Sequence, residues 1–274
     1  MTSARGYAFD NSSAQAPDHH TALAELLDPA TRQRISELVP LPGRRCLEVA
    51  AGGGSVAVWL AAQASAVVAT DLKPQHIPRH PRLTVKEHDI TSGTPLGRFD
   101  LVHARLLLNH LPERDLAVRH MVDALSPGGV LLTEDFLPPA GAEVVAHAPD
   151  PQTAALLARF QTLHTSALAG HGNDRSWSRR AHSAFYAAGL TDVRVYAYGT
   201  EWRGGGPGCR LLRAGIGQLR DDYLSLGITG AELAEIAGAL MNPDVALNGY
   251  LTIQTSGVYG RDQGITSRST ATRP

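Results

Sequence analysis

The stretch RCLEVAAGGGSVAVWLAA, residues 45–62, limits what this chain can fold into more than any other. The apolar run ending at Val49 reads as a buried strand, the three glycines as a tight turn, and the segment from Ser55 as a helix. Glycine allows a sharp turn and lets a ligand come close to the backbone. The helix that follows presents unpaired N–H groups at its start. Gly52, Gly54 and Ala57 also satisfy the G-x-G-x-x-A spacing of a dinucleotide fingerprint, with Asp71 placed to hold a ribose. On this stretch alone an NAD(P)-dependent oxidoreductase is open.

The surroundings repeat the theme. AVVATDL, RLTVKEHDI, FDLVHA and VLLTEDF read as further strands, with helix-length segments such as LAVRHMVDAL between them. That alternation predicts right-handed βαβ units and a parallel sheet covered on both faces. With 43% hydrophobic but only 5% aromatic residues, the core has to be built from Ala, Leu and Val. Upstream, Leu23, Leu26 and Leu27 share a helical face, and DPAT at Asp28 reads as an N-cap with Pro behind it, starting a second helix on Ile35, Leu38 and Val39. Downstream, helical spacing follows Asp150, reaches Gly189 in a shorter helix, resumes from Leu211 to Leu226, and returns after a Thr229–Glu232 capping box. TDVRVYAYGTEW and GYLTIQTSGVYG read as the late strands. The expected layout is an N-terminal helical cap (1–40), a cofactor-binding core (41–137), a helical lid (138–190), closing strands with inserted helices (191–262) and a disordered tail (263–274). The lid is expected over the C-terminal edge of the sheet, where open α/β sheets bind ligands.

Charge and composition narrow the partners. A net charge of −1 gives no electrostatic case for nucleic acid or an anionic membrane. No apolar run is long enough to span a bilayer, and MTSARGYAFDNSSAQ has no apolar region of a secretory leader. A cytoplasmic chain with a small-molecule substrate is expected. Cys46 and Cys209 suggest neither a disulfide framework nor a metal site. In HIPRH, Pro78 keeps His76 and His80 off a common helix face, so no metal is expected there either. Apolar helices at the N-terminus and lid allow a homodimer, although core packing explains them equally.

Glu48 decides between ligands. A pyrophosphate at the glycine turn would bring negative charge to within a few ångströms of that carboxylate, at a cost of about several kcal/mol in a partly dry cleft. A ligand with an ammonium and a sulfonium and no phosphate is favoured instead, which describes S-adenosylmethionine. Asp71, ending the second strand, can accept both ribose hydroxyls. Asp89, ending the third, can accept from the adenine amino group while Ile90 packs on the ring.

LEVAAGGGS, VVATDL, HDIT, FDLVHARLLLNHLP and LSPGGVLLTEDF, in this order and spacing, resemble the motifs of the class I S-adenosylmethionine-dependent methyltransferases. GYAFDNSSAQA and RGGGPGCRLLR resemble more narrowly a bacterial subgroup acting on small molecules. The resemblance covers nearly the whole chain. It implies an α/β, Rossmann-like fold with a seven-stranded, mostly parallel sheet whose last strand is antiparallel, with N-terminal helices and a helical lid. Carried over, Glu48, Ala50, Gly52 and Gly54 would line the methionine end of the cofactor, Asp71 and Leu72 its ribose, and Asp89 and Ile90 its adenine. His103 would offer backbone to the amino acid portion, and Tyr7 and Gln15 would close over the cofactor. The family usually has Gly where this chain has Ala50, and AAQASAVVAT lacks the usual extra glycines before the second strand.

In-line methyl transfer needs mainly a nucleophile held about 3–3.5 Å from the methyl carbon. A general base helps a hydroxyl or carbon acceptor, and histidine suits neutral pH. His110 is the expected base, because the segment after the fourth strand faces the methyl group in this fold. Arg105 and His103 would orient an acceptor carboxylate, and Asp135, His171 and Trp177 would also face the acceptor. The expected function is methyl transfer to a small organic acceptor in specialised metabolism. Besides the oxidoreductase, a methyltransferase-fold cyclase or binding protein that transfers no methyl group stays open.

Overall fold

The computed structural model describes residues 8–9 and 11–260; Tyr7 and the 263–274 tail fall outside them. In chain order the strands are β1 (Arg45–Val49), β2 (Ala66–Asp71), β3 (Leu83–Glu87), β4 (Phe99–Arg105), β5 (Leu125–Leu137), β6 (Val145–His147), β7 (Leu190–Tyr198), β8 (Glu201–Arg203), β9 (Ala246–Asn248) and β10 (Leu251–Tyr259). The main sheet has the order β3-β2-β1-β4-β5-β10-β7. Strands β1 to β5 run parallel, and β10 is antiparallel to both β5 and β7. This is a Rossmann-like, seven-stranded mixed sheet, as the motifs imply.

The helices are α1 (Ala16–Leu38), α2 (Ser55–Gln63), α3 (Arg114–Asp123), α4 (Pro151–Gly170), α5 (Trp177–Ala187), α6 (Pro207–Gln218), α7 (Arg220–Ser225) and α8 (Gly230–Ala239). Alternate residues of β1 serve opposite faces. Cys46 packs with Ile35 of α1 and Leu60 of α2, whereas Leu47 and Val49 pack with the Met121 and Phe185 side of the sheet. Both cysteines are buried and free, and burial pushes each thiol up to about 12.

Four expectations need correction. The N-terminal helices are one helix, α1, with Pro29 inside it. Asp28 is no cap: its carboxylate accepts from Arg32, Ser55 and Arg105, and these long-range partners hold the chain helical through a proline that forfeits one backbone bond. The segment 138–190 is not all lid. Helix α5 packs on the sheet through buried Trp177, Ala181 and Phe185, leaving α4 to join α6, α7 and α8 in a separate apolar cluster. The strand expected over TDVRVYAYGTEW divides: β7 stays in the main sheet, and β8 pairs with β9, which pairs with β6, in a second small sheet. The sequence from Leu211 to Leu226 likewise breaks into α6 and α7 at Leu219.

Strand β1 connects to β2 on one side and lies beside β4 on the other, so the strand order reverses between β1 and β4. A crevice at the carboxyl ends of the strands is expected at such a switch point.

Candidate active site

The crevice is there, with a volume of about 820 Å³. The β1 end brings Glu48 to Gly53, β2 brings Asp71 and Leu72, the β3 end brings Asp89 and Ile90, and β4 brings Arg105; His19 and His20 of α1 complete the wall. The turn after β1 winds through left-handed backbone at Ala50 (φ 54°), Gly52 (φ 54°) and Gly54 (φ 77°). A Cβ at Gly53 would lie 2.8 Å from the His20 Cβ, so α1 can rest on the turn only because that glycine is bare. Gly54 does not line the crevice. Its missing Cβ makes room for Ile77 and Pro78, which a Cβ would meet at 2.9 Å. The HIPRH segment thus buttresses the turn, and among the described residues no cluster could hold a metal ion.

The Asp71 carboxylate accepts from the Gly52 N–H at 2.9 Å, the Lys73 N–H at 2.9 Å and the Asn11 side chain at 3.1 Å. Asn11 is fixed in turn by His20 (3.1 Å) and by His76 on its carbonyl (2.6 Å). Asp89 accepts from the Thr91 N–H and hydroxyl through a single oxygen. Leu72, 58% exposed, presents a bare apolar side chain at the crevice.

Glu48 belongs to a buried chain of charge. Its carboxylate meets His103 Nδ1 at 2.7 Å, and His103 Nε2 meets Glu134 at 3.0 Å. Thr31 of α1 and Gln254 of β10 donate to the other Glu134 oxygen. The register explains the contact, since Glu48 and His103 are direct partners on adjacent parallel strands. Burial opposes charge on His103, but Glu48 and Glu134 together outweigh it and push the imidazole up to about 9. Burial likewise opposes charge on Glu134, and His103 chiefly holds its carboxyl below the ordinary range. His103 is therefore an imidazolium under the floor of the crevice and is not part of its lining, which corrects the expected contact with the cofactor.

Other expected residues divide. Arg105 lines the crevice, but its guanidinium is spent on Asp28 (3.0 Å, through both terminal nitrogens) and Thr31 (3.0 Å). Gln15 sits at the start of α1 against Gly217 of α6, off the lining. Trp177 is completely buried under α5, and Asp135 is buried beside it, accepting from the Asn109 N–H at 3.2 Å; neither reaches the crevice. Burial chiefly pushes Asp135 up to about 7. Asp135 thus braces the 3-10 turn Leu108–His110 that carries His110. His171 does line the crevice, paired with Asp222 at 2.9 Å.

His110 stands where the crevice meets a second, smaller chamber under α4 and α6, and it lines both. Its Nδ1 lies 3.3 Å from the Asn173 side-chain nitrogen. Burial chiefly, helped by His164 and His171, lowers it to about 4. His19 lines both spaces too, stacks on Phe9 (4.8 Å) and is lowered to about 3, again mainly by burial. Asn11, His19, His20 and Gly53 are site residues that the sequence did not disclose; the only local signal was the paired histidine at the start of a helix.

The lining suits S-adenosylmethionine. Three strand-end acids face one space, the glycine turn leaves backbone open beside Glu48, and Leu72 and Ile90 offer apolar surface near Asp89. Order of strands, turn and switch-point crevice together define a Rossmann-like, nucleoside-binding class of protein. A family model described as a methyltransferase domain matches residues 19–195, well over half the chain, and the chain belongs to that family. The ubiquinone biosynthesis O-methyltransferase of Xanthomonas campestris is 31% identical over 117 residues, 38% of this chain and 48% of that protein. Methyltransferase str2 of Strobilurus tenacellus is 31% identical over 109 residues, 37% of this chain and 40% of that protein. The matches thus span less than half of these relatives. Among solved structures, the phosphoethanolamine N-methyltransferase 2 of Haemonchus contortus superposes with a TM-score of 0.57 at 14% identity, covering 91% of this chain and 59% of that one. The YcgJ protein of Bacillus subtilis gives 0.54 at 14% identity, covering 89% and 100%. Both likenesses concern the fold.

Proposed function

We propose that this chain is an S-adenosylmethionine-dependent methyltransferase acting on a small organic acceptor in specialised metabolism. The observation that carries the reading is the convergence of Glu48, Asp71 and Asp89 on one crevice beside a bare glycine turn. Asp71, steadied by the Gly52 and Lys73 N–H groups, would hold the ribose by exchanging Asn11 for the sugar hydroxyls. Asp89 and Ile90 would take the adenine. Glu48, braced from behind by His103, would face the ammonium and sulfonium. Bound there, the cofactor would supply a methyl group on cationic sulfur, electrophilic toward an acceptor lone pair, and the acceptor would have a proton to shed. His110, at the meeting of the two spaces, is the residue placed to handle that proton. The curated relatives, named as O-methyltransferase and methyltransferase, agree with this reading. A cytoplasmic setting and a substrate other than nucleic acid or membrane belong to the same proposal, as does monomer or homodimer as its working state.

Calorimetric titration with S-adenosylhomocysteine, NADH and NADPH tests it. S-adenosylhomocysteine alone is expected to bind, and Asp71→Ala to weaken it about tenfold or more, the value of one charge-assisted hydrogen-bond set. Binding of a nicotinamide cofactor instead would overturn the proposal. Formation of S-adenosylhomocysteine in an acceptor screen then separates methyl transfer from a cyclase or binding role.

A further inference from the structure

The chamber under α4 and α6 has a lining of unusual composition. Phe9, Phe136, Leu168 and Leu212 give it apolar, partly aromatic walls. Its polar groups are three imidazoles (His19, His110 and His164), two carboxamides (Asn109 and Asn173) and the hydroxyls of Tyr250 and Thr165, the latter donating to the Gln161 carbonyl, with Arg175 as its cation. No carboxylate lines it among the described residues. The chamber shares a wall with the cofactor crevice, since Phe9, His19, Leu23, Leu106 and His110 line both. It therefore opens onto the place where the methyl group would be presented.

Resting on the reading above, we propose that this chamber selects acceptors that are flat, largely apolar and either uncharged or anionic, bearing an aryl or enolic hydroxyl. Three arguments carry this. An ammonium entering the chamber would give up its hydration with no carboxylate to meet it, and an unpaired buried charge is costly. A planar body, by contrast, can stack and pack against the aromatic and leucine walls. The imidazoles are polar but carry no charge there. His164, whose Nδ1 meets the Tyr223 hydroxyl at 2.6 Å, is lowered to about 4 by burial, as His110 is with neighbouring histidines helping. Neutral imidazoles and carboxamides hydrogen-bond a hydroxyl or its oxyanion. A base as weak as His110 can relieve only an acidic hydroxyl of its proton. Arg175, exposed at the rim with a contact to the Pro138 carbonyl at 3.4 Å, favours an anionic substituent over a cationic one.

The chamber's volume of about 90 Å³ suits a single ring, so three probes of one ring decide the matter: phenol, 4-hydroxybenzoate and benzylamine, titrated calorimetrically into the protein saturated with S-adenosylhomocysteine. Phenol and 4-hydroxybenzoate are expected to bind, with benzylamine about tenfold weaker or more. Arg175→Glu should lower the affinity ratio of 4-hydroxybenzoate to phenol about tenfold while S-adenosylhomocysteine binds as before. Gly215→Leu places the test inside the chamber. A Cβ there meets Phe9 only at 3.6 Å, an ordinary contact, and the rest of a leucine side chain would take up chamber space. It should abolish probe binding and spare S-adenosylhomocysteine. Equal binding of the amine, no binding of any probe, or probes indifferent to Gly215→Leu would each overturn the inference. Failure of S-adenosylhomocysteine itself to bind would instead remove the reading beneath it.

Discussion

At the scale of the residue, Ala50 shows what a single β-carbon can cost. Its φ of 54° is left-handed backbone, where an L-residue other than glycine is strained by about 1–2 kcal/mol. Glycine would lose about 0.5–1 kcal/mol through the unfolded chain. Ala50→Gly should therefore stabilise by about 1 kcal/mol and raise Tm by about 2–3 °C; an unchanged Tm in a thermal melt would mean that the strain does not exceed the entropic cost of glycine. The substitution away from the family's usual glycine was visible in the sequence, but not which backbone angle it occupies. The strand-end acids were legible for a plain reason: Glu48 and Asp71 lie at the carboxyl ends of the apolar runs RCLEV and AVVATD, and Asp89 directly follows the strand pattern RLTVKEH, so the pattern itself places them at the edge of a sheet. His103 was misjudged because its role depends on Glu134, 31 residues away, lying across the neighbouring strand. His19, His20 and Asn11 were invisible for the same kind of reason, since each matters only through a helix that folds back over the turn.

The element that organises the site is α1. Asp28 joins it to β4 through Arg105 and to α2 through Ser55, with the Arg105 and Asp28 side chains only 12% and 7% exposed. Removing one partner of such a buried pair leaves the other uncompensated, at a cost of about 3–5 kcal/mol. Asp28→Ala should lose about 3 kcal/mol in urea unfolding and also weaken S-adenosylhomocysteine, because His19 and His20 ride on the same helix. Stability lost with affinity intact would show that α1 does not shape the crevice. Periodicity made α1 and the βαβ elements readable. It could not show that the Asp-Pro pair lies mid-helix, because the local preference for a cap is outweighed by distant partners. Strands β6, β8 and β9 have three residues each, too few to carry a period; β6 and β9 escaped notice, and β8 was read as the end of β7.

For the molecule as a whole, buried histidines pull stability in opposite directions with pH. His103, raised to about 9 by its two carboxylates, stabilises fully below the unfolded value near 6.5 and loses that contribution as pH rises through 9. His19, His110 and His164, lowered to about 3, 4 and 4, stabilise above 6.5 and lose their contribution as pH falls, since the unfolded chain takes up protons they refuse. Asp135, raised to about 7, offsets only one of those three protons on the acid side. Stability measured by denaturant unfolding should therefore peak between pH 6.5 and 7.5 or so, by about that linkage, with His103→Gln flattening the alkaline limb alone. A curve rising steadily to pH 9 would mean that His103 is neutral when folded. The order of the main sheet also bears on how the chain is made. Strand β10 is made after both β5 and β7 yet belongs between them, and β7 has no other neighbour in that sheet. Synthesis from the N-terminus can thus assemble β1 to β5 early, while β7 must stay unpaired until its only partner in that sheet emerges, so the interval between making β7 and making β10 is when a nascent chain most needs shelter from stray edge-to-edge pairing.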